Sequence, residues 1–428
     1  MESSLVSKVI SNGISLGTVV SPRFKVNRIT VNLILPLDQS TASVYAILPF
    51  LLRKSCEDYP DFSMLQRRLD ELYGAALEGD VRKVGDNQIL SLAATGIDDA
   101  YTLEGEKITG ELASILSGAL LRPAFVDGGF DPKELELEKN NLVDLIESEI
   151  NDKRSYAINR MVEIMFGGEP YGINKYGNAD EVKSLTAEQV TAAYHKAIET
   201  AKIEILFIGC GDSSKVEGIF KQAFESVLRN PVDITQSHVS GDTKEICHTD
   251  RMNVTQSKMV LGFRTGVEPK SPQSYALRLM TAIYGGTPFS LLFVNVREKL
   301  SLCYYCAARF DISKGILMVD CGVEDANIDR AREEILNQLE SVKSDSFTDD
   351  EMSQAALSLK NSLNTIGDSV ASLENWYLGQ IILGLQDSPE DMVRHIAGVS
   401  RADIVDAANT IKQDTVYVLT QEGMYLND

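Results

Sequence analysis

Val31-Asn-Leu-Ile-Leu-Pro-Leu37 is a nearly unbroken apolar run, and Met259-Val-Leu-Gly-Phe263 is another. Apolar runs this short read as strands. The segments downstream of the two runs are alike. Tyr45-Ala-Ile-Leu-Pro-Phe-Leu-Leu52 comes after the first, Tyr275-Ala-Leu-Arg-Leu-Met-Thr-Ala-Ile283 after the second. A segment ending in Leu72-Tyr73-Gly74 then matches one ending in Leu302-Cys303-Tyr304. Met259 lies 228 residues beyond Val31, Tyr275 230 beyond Tyr45, and Tyr304 231 beyond Tyr73. A near-constant offset over three elements marks an internal duplication.

The match continues. Gln88–Ala94 and Gly315–Cys321 alternate like strands. Amphipathic helices come next in pairs, the later ones at Asp131 to Asn151 and Thr348 to Thr365. Thr186 and Ser400 each open a further helix as a hydroxyl N-cap, with an acid nearby. Ile203–Ile208 and Val416–Leu419 close the halves as strands. There the offset has fallen to 213, consistent with extra loop residues around Leu121 to Phe130. Each half reads β–α–α–β–β–α–α–α–α–β. Grouping of strands and helices favours an α+β class over a doubly wound sheet. The expectation is two similar domains, each a mainly antiparallel sheet with helices packed on one face, closing as a clamshell. Domain one spans 1–229 and domain two 250–428, joined by a polar linker at 230–249. A functional surface is then expected between them.

With 428 residues, 44% hydrophobic and 24% charged, the composition is that of a globular protein. A net charge of −21 repels phosphate backbones and anionic headgroups, which argues against nucleic-acid and membrane partners. No apolar run reaches the ~18 residues of a membrane helix, and residues 1–20 show no signal-peptide pattern. Six cysteines read as reduced thiols, and a cytoplasmic location is expected.

Four histidines, His195, His238, His248 and His395, have no second histidine at metal-ligand spacing. Gly209-Cys-Gly211 lacks the third glycine of a dinucleotide fingerprint and reads as a strand-to-helix turn. Cys303-Tyr-Tyr-Cys306 has redox or zinc-knuckle spacing but enters a strand; it reads as buried apolar cysteines. Between Tyr284 and Tyr304 a Gly285–Gly286 loop leads into a helix holding Leu291, Leu292 and Val296. That helix carries Arg297, seven residues before Tyr304. An arginine fork and a phenol so placed can hydrogen-bond peptide carbonyls. From spacing alone, a surface arginine beside a core-edge tyrosine is the simpler reading.

The duplicated pattern and the segment Gly-Gly…Ser-x-Leu-Phe-x-x-x-Arg-Glu-x-x-x-x-x-Tyr resemble the pitrilysin/insulinase family of zinc peptidases over nearly the whole chain, Val31 to Leu419. The resemblance implies that Arg297 and Tyr304 hold the scissile segment of a peptide, with Gly285 and Gly286 bordering its path. It also implies an N-terminal His-x-x-Glu-His that binds zinc and supplies the general base. This chain departs from that pattern. Pro49, Leu52 and Arg53 stand at the His, Glu and His positions. Counting seven from Glu138, the third ligand position holds Leu145, and a shift of one residue offers only Asp144. The reading is therefore no metal site, no cofactor and no general base of its own. Leu65 to Ala75 resembles a non-catalytic Firmicute subgroup associated with aminopentanol modification of elongation factor P, whose partner keeps the zinc motif. The implied role is the non-catalytic subunit of a heterodimeric zinc metallopeptidase, with a zinc-bearing homologue as partner and a peptide or protein as substrate. A homodimer, a binding scaffold without proteolysis, and an enzyme acting through Cys303 are the competing readings.

Overall fold

A computed structural model describes residues 4–234 and 245–422. The duplication seen in the sequence reappears as strand order. The strands of the first half are β1 (Val6–Ser11), β2 (Ile14–Val20), β3 (Val26–Pro36), β4 (Ala76–Val84), β5 (Asn87–Ile97) and β6 (Lys202–Gly209). Those of the second half are β7 (Ile246–Met252), β8 (Ser257–Arg264), β9 (Cys303–Asp311), β10 (Ile316–Val323) and β11 (Lys412–Gln421). The first sheet runs β1-β2-β6-β3-β5-β4 and the second β7-β11-β8-β10-β9. Remove β1 and the two orders superpose, β3 on β8 and β6 on β11. Pairing is antiparallel except between β2 and β6 and between β7 and β11. Each half is thus a mainly antiparallel α+β sheet, as expected.

Three strands escaped the sequence reading. β1 and β2 precede the first apolar run. β7 is exposed along most of its length and pairs only with β11 among the described residues. An edge strand of this kind buries little, so it carries no apolar signature; the ladder to β11 makes it a strand. The expected linker at 230–249 is correspondingly shorter, because residues 246–249 belong to β7. His238 and Gly241 lie outside the described residues.

The chain divides into two compact units, and these do not coincide with the contiguous halves. One comprises Met1–Glu147, Ile173–Gln236 and Ile366–Ile382; the other comprises Ser148–Gly172, Ser237–Thr365 and Leu383–Asp428. The reason is visible in the strands. β3, β5 and β6 are buried at almost every position, so both faces of that sheet must be covered. One face carries Ile29, Val31 and Leu33 against the unit's own helices. On the other, Ile34, Ile89 and Leu206 meet Leu378 and Ile382 of helix Val370–Leu383. That helix comes from the second half of the sequence. Reciprocally, Val260, Ile316, Tyr417 and Leu419 of the second sheet meet Ala157, Met161 and Met165 of helix Lys153–Met165. Helices gather mainly on one face of each sheet, and one exchanged helix covers the other.

Buried charge tethers both exchanged helices. Glu374, 1% exposed, lies 2.6 Å from Arg28 Nε and 3.1 Å from Arg82 Nη2. Arg154 pairs with Asp320, which is 4% exposed. The seat of helix Lys153–Met165 also needs Gly262 on β8. A Cβ there would lie 2.7 Å from Met161 Sδ and 2.9 Å from Met165 Sδ. Gly262→Val is expected to lower stability by about 1–3 kcal/mol through overpacking, read as an earlier midpoint in urea unfolding.

Candidate functional site

The helix on which the zinc motif would fall is interrupted. It forms two short pieces, Ala42–Ala46 and Leu48–Leu52. Pro49 sits in the first turn of the second piece, where a missing N–H is tolerated. Pro49 and Leu52 are buried and, with Leu33, Leu48, Leu90 and Leu92, line a small apolar void. The Pro49 carbonyl is pressed against β4, where a Cβ on Gly79 would come within 2.3 Å of its oxygen. Arg53 is half-buried, its guanidinium 5.7 Å from the Phe50 ring centroid and its Nε buried without a hydrogen-bond partner. Leu145 is 39% exposed. Proline and leucine carry no side-chain donor, and a guanidinium repels a cation. The residues present do not fit zinc. Among the described residues, no group of three or more His, Cys, Asp or Glu side chains is arranged to hold a metal.

An internal cation occupies this region instead. Lys54 Nζ lies 2.8 Å from Glu134 Oε2 and 2.8 Å from Glu138 Oε1, and Glu138 is 2% exposed. Burial disfavours the Lys54 ammonium, but the hydrogen bonds to Glu134 and Glu138 outweigh it and hold its pKa above the ordinary lysine value. Glu138 is the residue from which the third ligand position was counted. Sequence reasoning missed Lys54, because no spacing rule links residue 54 to a helix some eighty residues later.

Arg297 and Tyr304 belong to the other unit. Arg297 lies on Leu292–Lys299, a helix of wide i→i+5 turns. Such turns are uncommon and recur at functional sites. Its side chain is 40% exposed, with the guanidinium 4.5 Å from the Phe293 ring centroid and Nε 3.6 Å from Glu298. Tyr304 is 61% exposed and donates its hydroxyl to Glu324 Oε1 at 3.2 Å. It sits at a bulge in β9: Gly322 faces Tyr305 while Val323 faces Cys303, leaving Tyr304 as the extra residue. A bulge re-aims a side chain, and here it turns a phenol into solvent. Gly285 is buried, and a Cβ on it would meet Ala308 Cβ at 2.7 Å and Leu292 Cδ1 at 2.6 Å. Its absent side chain therefore serves packing of the helix on β9. Gly286 is exposed.

The remaining histidines do not assemble. His248 pairs with Asp250 at 2.9 Å, His395 stacks on Tyr275, and His195 sits edge-on to Phe125.

Two duplicated α+β halves thus carry Pro49, Leu52, Arg53 and Leu145 at the positions matched to a metal motif, and an exposed arginine and tyrosine seven residues apart. Residues 184–359 match the peptidase M16 inactive domain. The chain is 27% identical to "Probable inactive metalloprotease YmfF" of Bacillus subtilis (strain 168), covering 95% of this chain and 96% of that protein. It is 22% identical to "Antilisterial bacteriocin subtilosin biosynthesis protein AlbE" of the same strain, covering 70% of this chain and 76% of that one. Among solved structures, a conserved protein from Enterococcus faecalis V583 superposes with a TM-score of 0.89 at 24% identity, over 98% of this chain and 99% of that chain. A peptidase M16 inactive domain from Pseudomonas fluorescens superposes with a TM-score of 0.79 at 15% identity, over 98% of each. The resemblance to M16 peptidases is thus carried by residues 184–359 and by relatives aligned along most of the chain, one of them itself named as an inactive metalloprotease. No helix of the described residues is long and apolar enough to cross a membrane.

Proposed function

We propose that this chain is the non-catalytic subunit of a heterodimeric zinc metallopeptidase. In this reading it presents peptide to a zinc-bearing homologue. The observation that supports it most is the contrast between the two half-sites. Positions 49, 52, 53 and 145 offer no zinc donor, yet Arg297 and Tyr304 stand exposed, held among the described residues only by the surface carboxylates of Glu298 and Glu324 and by the Phe293 ring. A guanidinium and a phenol can grip a peptide carbonyl and orient it without supplying a base or a metal. The partner would supply both. Elongation factor P modification and a cytoplasmic setting are the context this reading carries over from the family resemblance. AlbE, a relative, is named for antilisterial bacteriocin biosynthesis.

The test is a peptidase assay on the chain mixed with a zinc-bearing M16 homologue, with assembly monitored by gel filtration. Losing a hydrogen bond to a charged or polarised group costs roughly 1.5–3 kcal/mol, or about 10–100-fold in rate. Tyr304→Phe is expected at the low end of that range in kcat/KM and Arg297→Ala at the high end, with assembly unchanged. Equal rates for both variants and the wild type would remove the peptide-holding role. Failure to form a mixed complex would favour the second reading, a peptide- or protein-binding scaffold with no part in proteolysis.

A further inference from the structure

Three of the six cysteines meet on one buried face of the β9–β10 hairpin. Cys306 and Cys321 are directly opposite in the antiparallel register. Opposed residues of such a ladder have Cα atoms about 4.5–5.5 Å apart, inside the roughly 4.4–6.8 Å that a disulfide spans. Cys303 is three residues before Cys306 and, in a regular strand, would face the other side of the sheet. The bulge at Tyr304 takes up one residue and returns it to the same side. All three are buried, with exposures of 8% for Cys303, 5% for Cys306 and 0% for Cys321.

Their hydrogen bonding is directional. The Cys306 thiol is shared between Cys303 and Cys321, and with burial this holds it well above the ordinary thiol range. The hydrogen bond from Cys306 holds Cys303 below that range against its burial, and the nearby charge of Arg297 assists. Cys303 is also the least buried of the three, so it is the thiol that peroxide reaches and the one held toward its reacting, thiolate form. The other three differ. Cys56 is buried, Cys210 intermediate and Cys247 exposed, and none of them has a cysteine opposite it in a described ladder. Metal capture is not the use of the trio, because no group of three such side chains among the described residues has metal-holding geometry.

We propose that Cys303, Cys306 and Cys321 form a dithiol oxidation site that hydrogen peroxide converts to a Cys306–Cys321 disulfide. The Cys303 thiolate attacks one peroxide oxygen, the O–O bond breaks, and Cys303 becomes a sulfenic acid with release of hydroxide, which a proton turns to water. The Cys306 thiol displaces the sulfenic oxygen as water and forms a Cys303–Cys306 bond. Cys321 then attacks the Cys306 sulfur and releases Cys303 as thiol. In sum, two thiols and one peroxide give one disulfide and two waters. The product pins β9 to β10 two residues from Tyr304. This inference does not depend on the peptide-holding role of Tyr304.

The experiment is treatment of the full chain with equimolar hydrogen peroxide, alkylation of remaining thiols, and tryptic mass mapping. Cleavage after Lys299, Arg309, Lys314 and Arg330 places Cys303 and Cys306 on one peptide, 300–309, and Cys321 on another, 315–330. The expected product joins these two peptides, carries its alkyl group on Cys303, and leaves four of the six thiols alkylatable. In Cys321→Ser, oxidation stops as a two-hydrogen loss within peptide 300–309. In Cys306→Ser, no disulfide forms and Cys303 accumulates as an oxygen adduct. A wild-type chain whose Cys306 and Cys321 stay fully alkylated while other thiols oxidise would overturn the proposal. So would a disulfide elsewhere.

Discussion

Replacing Glu374 by alanine is expected to destabilise the chain by about 3–5 kcal/mol, the range for breaking a buried ion pair from one side. The carboxylate is 1% exposed and accepts hydrogen bonds from Arg28 Nε at 2.6 Å and Thr30 Oγ1 at 3.0 Å, with Arg82 at 3.1 Å. Burial works against the charged form of Arg28, and the charge and hydrogen bond of Glu374 outweigh it, so its pKa lies above the ordinary arginine value. Without Glu374, Arg28 and Arg82 lose their one buried counter-charge and keep only the exposed carboxylates of Glu78 and Asp80. Helix Val370–Leu383 then loses its polar anchor. The single tryptophan, Trp376, lies on this helix beside Glu374 and packs with Val19, Phe24 and Ile208. Its emission should therefore shift to the red in Glu374→Ala well before global unfolding in urea. An unfolding midpoint and Trp emission equal to wild type would mean that apolar contacts alone hold the exchanged helix.

The second large effect belongs to Lys54. Lys54→Met leaves the buried Glu138 carboxylate without its cation, and a loss of about 3 kcal/mol is expected. Replacing both members, Lys54→Met with Glu138→Leu, is expected to recover most of it, because the penalty lies in the orphaned charge. The pH dependence has a definite sign. The Lys54 pKa is raised in the folded chain by Glu134 and Glu138. Its contribution is therefore fully present below the unfolded value of about 10.4 and lost as pH rises through the higher folded value. The stability gap between wild type and Lys54→Met should be constant from about pH 7 to 9 and narrow above about pH 10. Urea unfolding at several pH values reads this directly, and a gap that widened with alkalinity would contradict the pairing.

The two sites were not equally legible. The positions of Arg297 and Tyr304 could be counted from a local seven-residue interval, since both lie on adjoining elements. Their exposure could not, because it depends on a bulge set by pairing with β10. Pro49, Leu52 and Arg53 show by residue type alone that zinc has no donors there. That Lys54 turns back to Glu138 requires two helices to be packed together. A glycine beside a site suggests room for a ligand, and at Gly285 the space a side chain would take is filled by Leu292 and Ala308.

The amino-acid sequence by itself determined the duplication, the α+β class and the central strands, because periodicity and apolar runs are local properties. Only the tertiary structure decided which strands lie at the edges, that residues 246–249 belong to β7, and that the two halves exchange helices. Those features depend on which faces are left to be covered once the sheets exist. An apolar sheet face accepts any helix of suitable pattern, and no local signal in Val370–Leu383 or Lys153–Met165 says from which half its sheet will come.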